Sequence, residues 1–466
     1  MRMISKALYI LLLAAFLVGC TISQPTQTVG SGTVTAVVTQ KPTIVPATPT
    51  AEITVQASQL KGVYVLFMHP WTGTLGTEVT DLVDEFNRSN EWGIHVVVKA
   101  PGSASALVEE LSTLAQDSTA PDLIAAPVDE LLKLNKDSQT VADLTPYVNS
   151  NEWGLGDSLI NSYLPVFWEQ DDVESYRYGI PAQRNTKVMI YNKTWAKELG
   201  FSDAPVTPDD FLAQTCAATA SMKLDSIRSN DGVGGWIVDY EAMTMASWNM
   251  AFGAQAETTG KISFNQARTV QMLTYLRNML DKGCAWNSLK TEPYEYFATR
   301  QALVYSADLQ DLLKQQAAQA RAGSQDEWVV LPFPTTSDPS LLAEGPSYAI
   351  VAKTAEKKLA AWLFIRWMSS LDNQGRMVKV SATLPLGNEM LPYAIELQDS
   401  LPQWTAVINL LPSVQTTPVN VDWPEAKVIW EDASWQLFKA DLKTDQIPDL
   451  VKQMDQTLKE LTGVTQ

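Results

Sequence analysis

Fifteen tryptophans, three cysteines and only two histidines set the chemistries open to this chain. His69 and His95 are too few for a zinc cluster of the usual kind, and a Ser-His or Cys-His relay would have to use one of them. Cys20 closes the run Leu17-Val18-Gly19-Cys20, whose small residues let a peptidase approach the backbone and whose thiol can accept diacylglycerol. Cys216 and Cys284 then remain as an even pair. An exported chain meets an oxidising environment, so a disulfide is expected between them, stabilising the fold by roughly 4 kcal/mol in the chain-entropy model. Neither reads as a nucleophile. Acidic residues number 52, yet no motif ties two of them to one site as a surface glycosidase would need. No catalytic residue, metal or cofactor is expected. Trp (15) outnumbers Tyr (14) and Phe (12), and such flat rings are costly to expose unless something stacks on them.

The elements that must position these residues begin with a leader. Arg2 and Lys6 form a basic start, and Leu8 to Val18 is an apolar run too short to span a bilayer with ease. Residues 1–19 read as a lipoprotein signal peptide and 20–60 as a disordered tether of Thr, Val, Pro, Gln and Ser, anchored through lipid on Cys20 at the outer face of the cytoplasmic membrane. Loss of Arg2 and Lys6 leaves 32 cations against 52 acids, a formal charge of −20. That balance argues against nucleic acid, which needs clustered Lys and Arg. A length of about 400 residues beyond the tether exceeds what one core usually serves, so two lobes are expected.

From Lys61 the pattern sharpens. The apolar run Val63 to Phe67 precedes Val79, Leu82, Val83 and Phe86, spaced as one face of a helix, and Ile94 to Val98 and Asp122 to Ala126 are further apolar runs. This β-α-β-α-β order predicts a parallel sheet covered on both faces, with ligand bound beyond the carboxyl ends of the strands. Those ends carry His69-Pro70-Trp71, Lys99 to Ser103, and Pro127-Val128-Asp129.

In order, the segments His-x-Trp-x-Gly (His69, Trp71, Gly73), Glu85-Phe86-Asn87, Pro121-Asp122-Leu123, Leu144 to Tyr147, Gly179-Ile180-Pro181, Ile190 to Lys193, Pro208 to Phe211, Phe297 to Ala302, Ala360 to Ser370 and Leu384-Pro385 resemble the family 1 extracellular solute-binding proteins of ATP-driven importers. Maltose- and glycerol-3-phosphate-binding proteins belong to that group. The resemblance runs from about residue 61 to 463. It departs where the family often has Trp and this chain has Met68, and again at Pro208.

The resemblance implies an α/β, two-lobed periplasmic-binding-protein-like fold with a ligand cleft between lobes and several hinge crossings. It places those crossings near Ala182 to Thr186, Ser306 and Ala349 to Lys353, and divides the chain into 61–181 with 307–349 as the N-terminal lobe and 182–306 with 350–466 as the C-terminal lobe. It implies a binding protein, not an enzyme: a monomer that captures a carbohydrate and delivers it to ABC transporter permease subunits. A polyol phosphate such as glycerol 3-phosphate is the alternative ligand. Implied contacts are Trp71, Asp129, Asn185, Trp248, Ser306, Tyr348, Trp423 and Trp430, with Trp430 as the ring-stacking platform in an open cleft. Asp129 could instead cap a helix. Trp435, Trp362 and Trp367 are expected in the core, and Arg184 and Lys187 at a solvated strand end.

Overall fold

The computed structural model describes residues 53–103, 106–110, 120–288 and 292–463. Cys20, the leader and the tether to residue 52 lie outside the described residues. The folded body starts ahead of the expected Lys61, because Val55 and Leu60 are buried in the core.

In chain order the elements used below start with β1 (Tyr64–Met68), α1 (Gly73–Ser89), β2 (His95–Lys99), β3 (Leu123–Ala126), α2 (Val128–Ser138), β4 (Ile180–Pro181) and β5 (Asn185–Asn192). Next come α3 (Pro208–Leu224), β6 (Gly234–Ile237), α4 (Ala242–Ala251), β7 (Ala285–Trp286), β8 (Ala302–Asp308), β9 (Trp328–Leu331), β10 (Leu341–Glu344) and β11 (Ser347–Ile350). The last are α5 (Ala355–Met368), α6 (Leu371–Ser381), β12 (Val414–Thr416), α7 (Trp423–Leu437) and α8 (Ile447–Thr462).

The first sheet has the order β2-β1-β3-β11-β4, and β1 runs parallel to both β2 and β3. All four residues of β3 are buried, as a strand covered on both faces requires. Helix α1 turns Leu75, Val79, Leu82, Val83 and Phe86 inward, the expected period. The second sheet has the order β7-β6-β8-β5-β10-β12, with β9 also on β5. Along β5 the pleat sends Val188 and Ile190 into one core and Met189 and Tyr191 into another.

Helix α3 starts on a capping box, with the Thr207 hydroxyl accepting from the Asp210 amide and the Asp210 carboxylate accepting from the Thr207 amide. It is stapled to the segment before β7 by Cys216–Cys284, which the structure pairs as expected. Gly235 of β6 lies directly beneath this staple. A Cβ there would sit 2.0 Å from the Cys284 carbonyl oxygen, so only glycine lets the layers meet.

The chain passes between sheets at Ala182–Arg184, within the expected first crossing. It returns at Gly345 and Pro346, short of the expected Ala349–Lys353, which instead begins inside β11 of the first sheet. Ser306 is no crossing; it lies within β8, opposite Met189. The lobe boundaries shift accordingly. Residues 328–344, expected in the N-terminal lobe, supply β9 and β10 to the second sheet, while α5 and α6 join the first core. Apolar strands of either sheet read alike, so the sequence did not separate them.

Candidate functional site

Arg184 fixes the crossing. Its side chain is fully buried and donates to the carbonyls of Gln183 (2.9 Å), Gly345 (3.3 Å) and Pro346 (3.0 Å), to Gln170 Oε1 (3.0 Å) and to Ser347 Oγ (3.1 Å). Asp171, also fully buried, lies 3.4 Å away and supplies the opposite charge. Burial pushes the Asp171 carboxyl above its ordinary range, against the pull of Arg184. The two chain passages touch here: a Cβ on Gly345 would sit 2.3 Å from the Gln183 carbonyl oxygen. The expected solvated strand end is corrected, since five donated hydrogen bonds offset the cost of burying the guanidinium.

Trp71, in the loop after β1, is bonded to that crossing through Nε1 to Gln183 Oε1 at 2.8 Å. Tyr348 of β11 meets it edge-on at 6.0 Å between ring centres, so the structure brings these two expected residues together. His69 lies 5.0 Å from Trp71, with both ring nitrogens buried and without a hydrogen-bond partner among the described residues. Burial lowers its pKa to about 4.

A charged junction lies where α2, β5, β10 and α7 meet. Lys427 of α7 reaches Asp129 of α2 at 3.0 Å and Glu344 of β10 at 3.9 Å, and Lys133 of α2 pairs with Glu425 of α7. Asp129 is therefore an ion-pair partner, with Pro127 at the cap position, and the positive end of α2 also favours its charge. Asn185, the first residue of β5, lies opposite Glu344 in register, and its Oδ1 is buried and unpartnered among the described residues. Next along β5, Lys187 is buried and meets Glu241 (2.5 Å), Asp308 (3.3 Å) and Asp239 (3.9 Å). Lys187 was expected in solvent, but three carboxylates hold it inside. Burial lowers the Lys427 pKa, and Asp129 and Glu344 outweigh it, leaving the ammonium above its ordinary range. Asp308 is pushed up to about 7 by burial, with Lys187 opposing.

The remaining expected contacts lie deeper. Trp248 packs on Trp236, Phe211 and Phe333 in the second core. Ser306 Oγ accepts from Trp236 Nε1 at 3.3 Å. Trp423 is fully buried, and Trp430 is 1 % exposed and edge-on to Phe264. The expectation that Trp430 stands in an open cleft with little packing is thus corrected. Trp435, expected in the core, is 56 % exposed and the one exposed tryptophan of the fifteen. A signal existed: Trp430 follows Trp423 by seven residues and shares its face, whereas the step of five to Trp435 turns it about 140° away. Sequence reasoning also missed Lys427, Glu344, Asp239, Glu241 and Asp308. Their position at or just past strand ends, or one helical turn beyond Trp423, was the available clue.

Chemically, this is a junction of fixed carboxylates and an amide, with Lys133, Arg184, Lys187 and Lys427 already paired and, among the described residues, no nucleophile beside a base. It suits binding. Two lobes joined by adjacent crossings, with polar side chains gathered where they meet, define the class of two-lobed solute receptors. The chain belongs to the bacterial extracellular solute-binding protein family, whose model matches residues 81–405. It is 24 % identical over 413 residues to a maltooligosaccharide ABC transporter solute-binding lipoprotein of Streptococcus pneumoniae, covering 83 % of this chain and 90 % of that one. Among solved structures it is similar to an ABC substrate-binding protein of Listeria monocytogenes in complex with cycloalternan (17 % identity, TM-score 0.71, 86 % and 100 % coverage). It is also similar to the sugar-binding protein MalE of Xanthomonas citri (20 %, 0.69, 86 % and 98 %) and to UgpB of Mycobacterium tuberculosis in complex with glycerophosphocholine (17 %, 0.70, 85 % and 99 %). At these identities the likeness shows the fold alone.

Proposed function

We propose that this chain is a lipid-anchored receptor that captures a neutral carbohydrate between its lobes and hands it to the permease of an ABC importer. The observation that carries the choice of ligand is the pairing of Lys427, Lys187 and Arg184 at the junction. Lys427 is held by Asp129 and Glu344, Lys187 by Asp239, Glu241 and Asp308, and Arg184 by carbonyls and Asp171. A polyol phosphate would have to displace a carboxylate from one of these cations, and at Lys427 that leaves the almost wholly buried Asp129 unpaired. Hydroxyl groups need only acceptors and donors, which Asp129, Asn185 and Glu344 offer, while Trp71 supplies an aromatic edge. The pneumococcal relative, named for maltooligosaccharides, supports the same class. Ligand bound between lobes favours the closed state by its differential affinity for it.

The anchor is Cys20, the working form a monomer, and the location the outer face of the cytoplasmic membrane. Cell fractionation of Cys20→Ser tests the anchor: the variant should fold and leave the membrane fraction, and sedimentation after a high-salt wash would exclude the lipid attachment. For the ligand, melting the protein with neutral sugars and with glycerol phosphates, while assaying the same tubes for hydrolysis, should give stabilisation by a sugar without turnover. Stabilisation by phosphates alone would replace the neutral ligand with the charged one.

A further inference from the structure

Trp435 stacks on Tyr240 with ring centres 3.9 Å apart and planes within 8°. Tyr240 is in turn fixed from below: its hydroxyl donates to Asn287 at 2.8 Å, its ring meets Phe438 edge-on, and its carbonyl accepts from Ser434 at 2.7 Å. The outcome is a rigid two-ring stack whose outer member keeps one face open to solvent. Single exposed apolar side chains are ordinary on protein surfaces. An indole locked coplanar on a second ring is different, because no rotamer freedom is lost when a ligand covers it.

Its place ties it to the junction. Tyr240 stands between Asp239 and Glu241, the two residues that reach Lys187 from the end of β6. On α7, Lys427 at the junction is followed by exposed Val428, then Glu431, then Trp435, rising along one side of the helix over about 12 Å. Glu431 is held by the Ala242 amide and senses both Glu241 and Lys427. Beyond it, Gln436 donates to Asp432 at 2.8 Å, leaving exposed polar atoms beside the indole.

We propose that Trp435, backed by Tyr240, is a peripheral ring-stacking subsite for the far end of an oligosaccharide whose near end lies at the Asp129–Lys427 junction. This rests on the carbohydrate reading and adds that the ligand has more rings than the junction itself encloses. A flat apolar face bordered by carboxylates and an amide matches a sugar ring, which is apolar on its faces and hydroxylated at its edge. A nucleotide would also stack, but its phosphates would meet Glu241, Glu431 and Asp432. A protein partner would call for a wider apolar patch than Val428 and one indole.

The test is calorimetric titration of the full chain and of Trp435→Ala with glucose, maltose and maltotetraose. Trp435→Ala should weaken the longest sugar that binds by about tenfold, leave shorter ones unchanged, and keep the melting temperature; Trp435→Phe should restore most of the loss. Equal affinities of Trp435→Ala and the parent for every sugar bound would overturn the subsite and leave the carbohydrate reading intact. Unchanged sugar binding with impaired permease coupling would assign the face to a protein partner and overturn it likewise. A parent protein that binds no sugar of any length would overturn both.

Discussion

Lys427 Nζ of α7 lies 3.0 Å from Asp129 Oδ2 of α2, so one ion pair joins the helix behind β3 of the first sheet to the helix that follows β12 of the second. The Asp129 carboxylate is almost wholly buried and Lys427 partly so. Removing Lys427 strands a buried carboxylate, and removing Asp129 leaves Lys427 with Glu344 at 3.9 Å. Asp129→Asn and Lys427→Met should each lower stability by about 1–3 kcal/mol, and the double variant by clearly less than their sum. Urea unfolding of the four proteins measures the coupling, and strict additivity would mean that the pair does not join the lobes.

His69 carries a pH dependence of known sign. Its folded pKa is lowered to about 4 by burial, whereas an unfolded histidine titrates near 6.5. The unfolded chain therefore takes up the proton first. The stability that depends on a neutral His69 is complete above about pH 6.5 and is lost as pH falls toward and through about 4. Between pH 7 and pH 5 the loss from this residue should be about 2 kcal/mol. His69→Phe should remove that part of the acid slope; an identical slope in the variant would show that His69 is solvated.

Trp430→Ala should cost about 3–5 kcal/mol of stability, because a fully buried indole packed on Phe264 leaves a large cavity. Thermal melting of the free protein is the measurement. A melting temperature within a degree or two of the parent would show that the indole stands in an open cleft after all.

The Cys216–Cys284 bridge ties α3 to the strand edge beyond Gly235. Replacing both cysteines by serine should lower stability by up to roughly 4 kcal/mol and leave sugar affinity unchanged, since the bridge lies beside the start of β6 whereas Asp239 and Glu241 follow its end. Intact mass without reductant should be two hydrogens below the reduced value, and two alkylatable thiols in fresh protein would exclude the bridge.

The first sheet was legible because β1, β3 and α1 obey strong local rules: continuous apolar strands and a clean 3.6 period. The crossing at Gly345 was placed a few residues late, because the apolar Ser347–Ile350 strand looks the same whichever sheet takes it. The junction was mostly illegible. Asp129 was singled out from its strand-end position, but its partner Lys427 is remote in sequence, and nothing local marks a lysine on a helix as buried. Tryptophans misled in the other direction: the family resemblance implies a platform at Trp423 and Trp430, while helix geometry puts them inside and turns Trp435 out.

Isothermal titration of the purified receptor with neutral mono-, di- and oligosaccharides, set against glycerol 3-phosphate under the same conditions, bears most directly on sugar capture between the lobes. One neutral sugar should bind with one-to-one saturating heat, and Asp129→Asn should weaken it, while glycerol 3-phosphate gives no heat of binding. Saturating heat from the phosphate with none from any neutral sugar would contradict it.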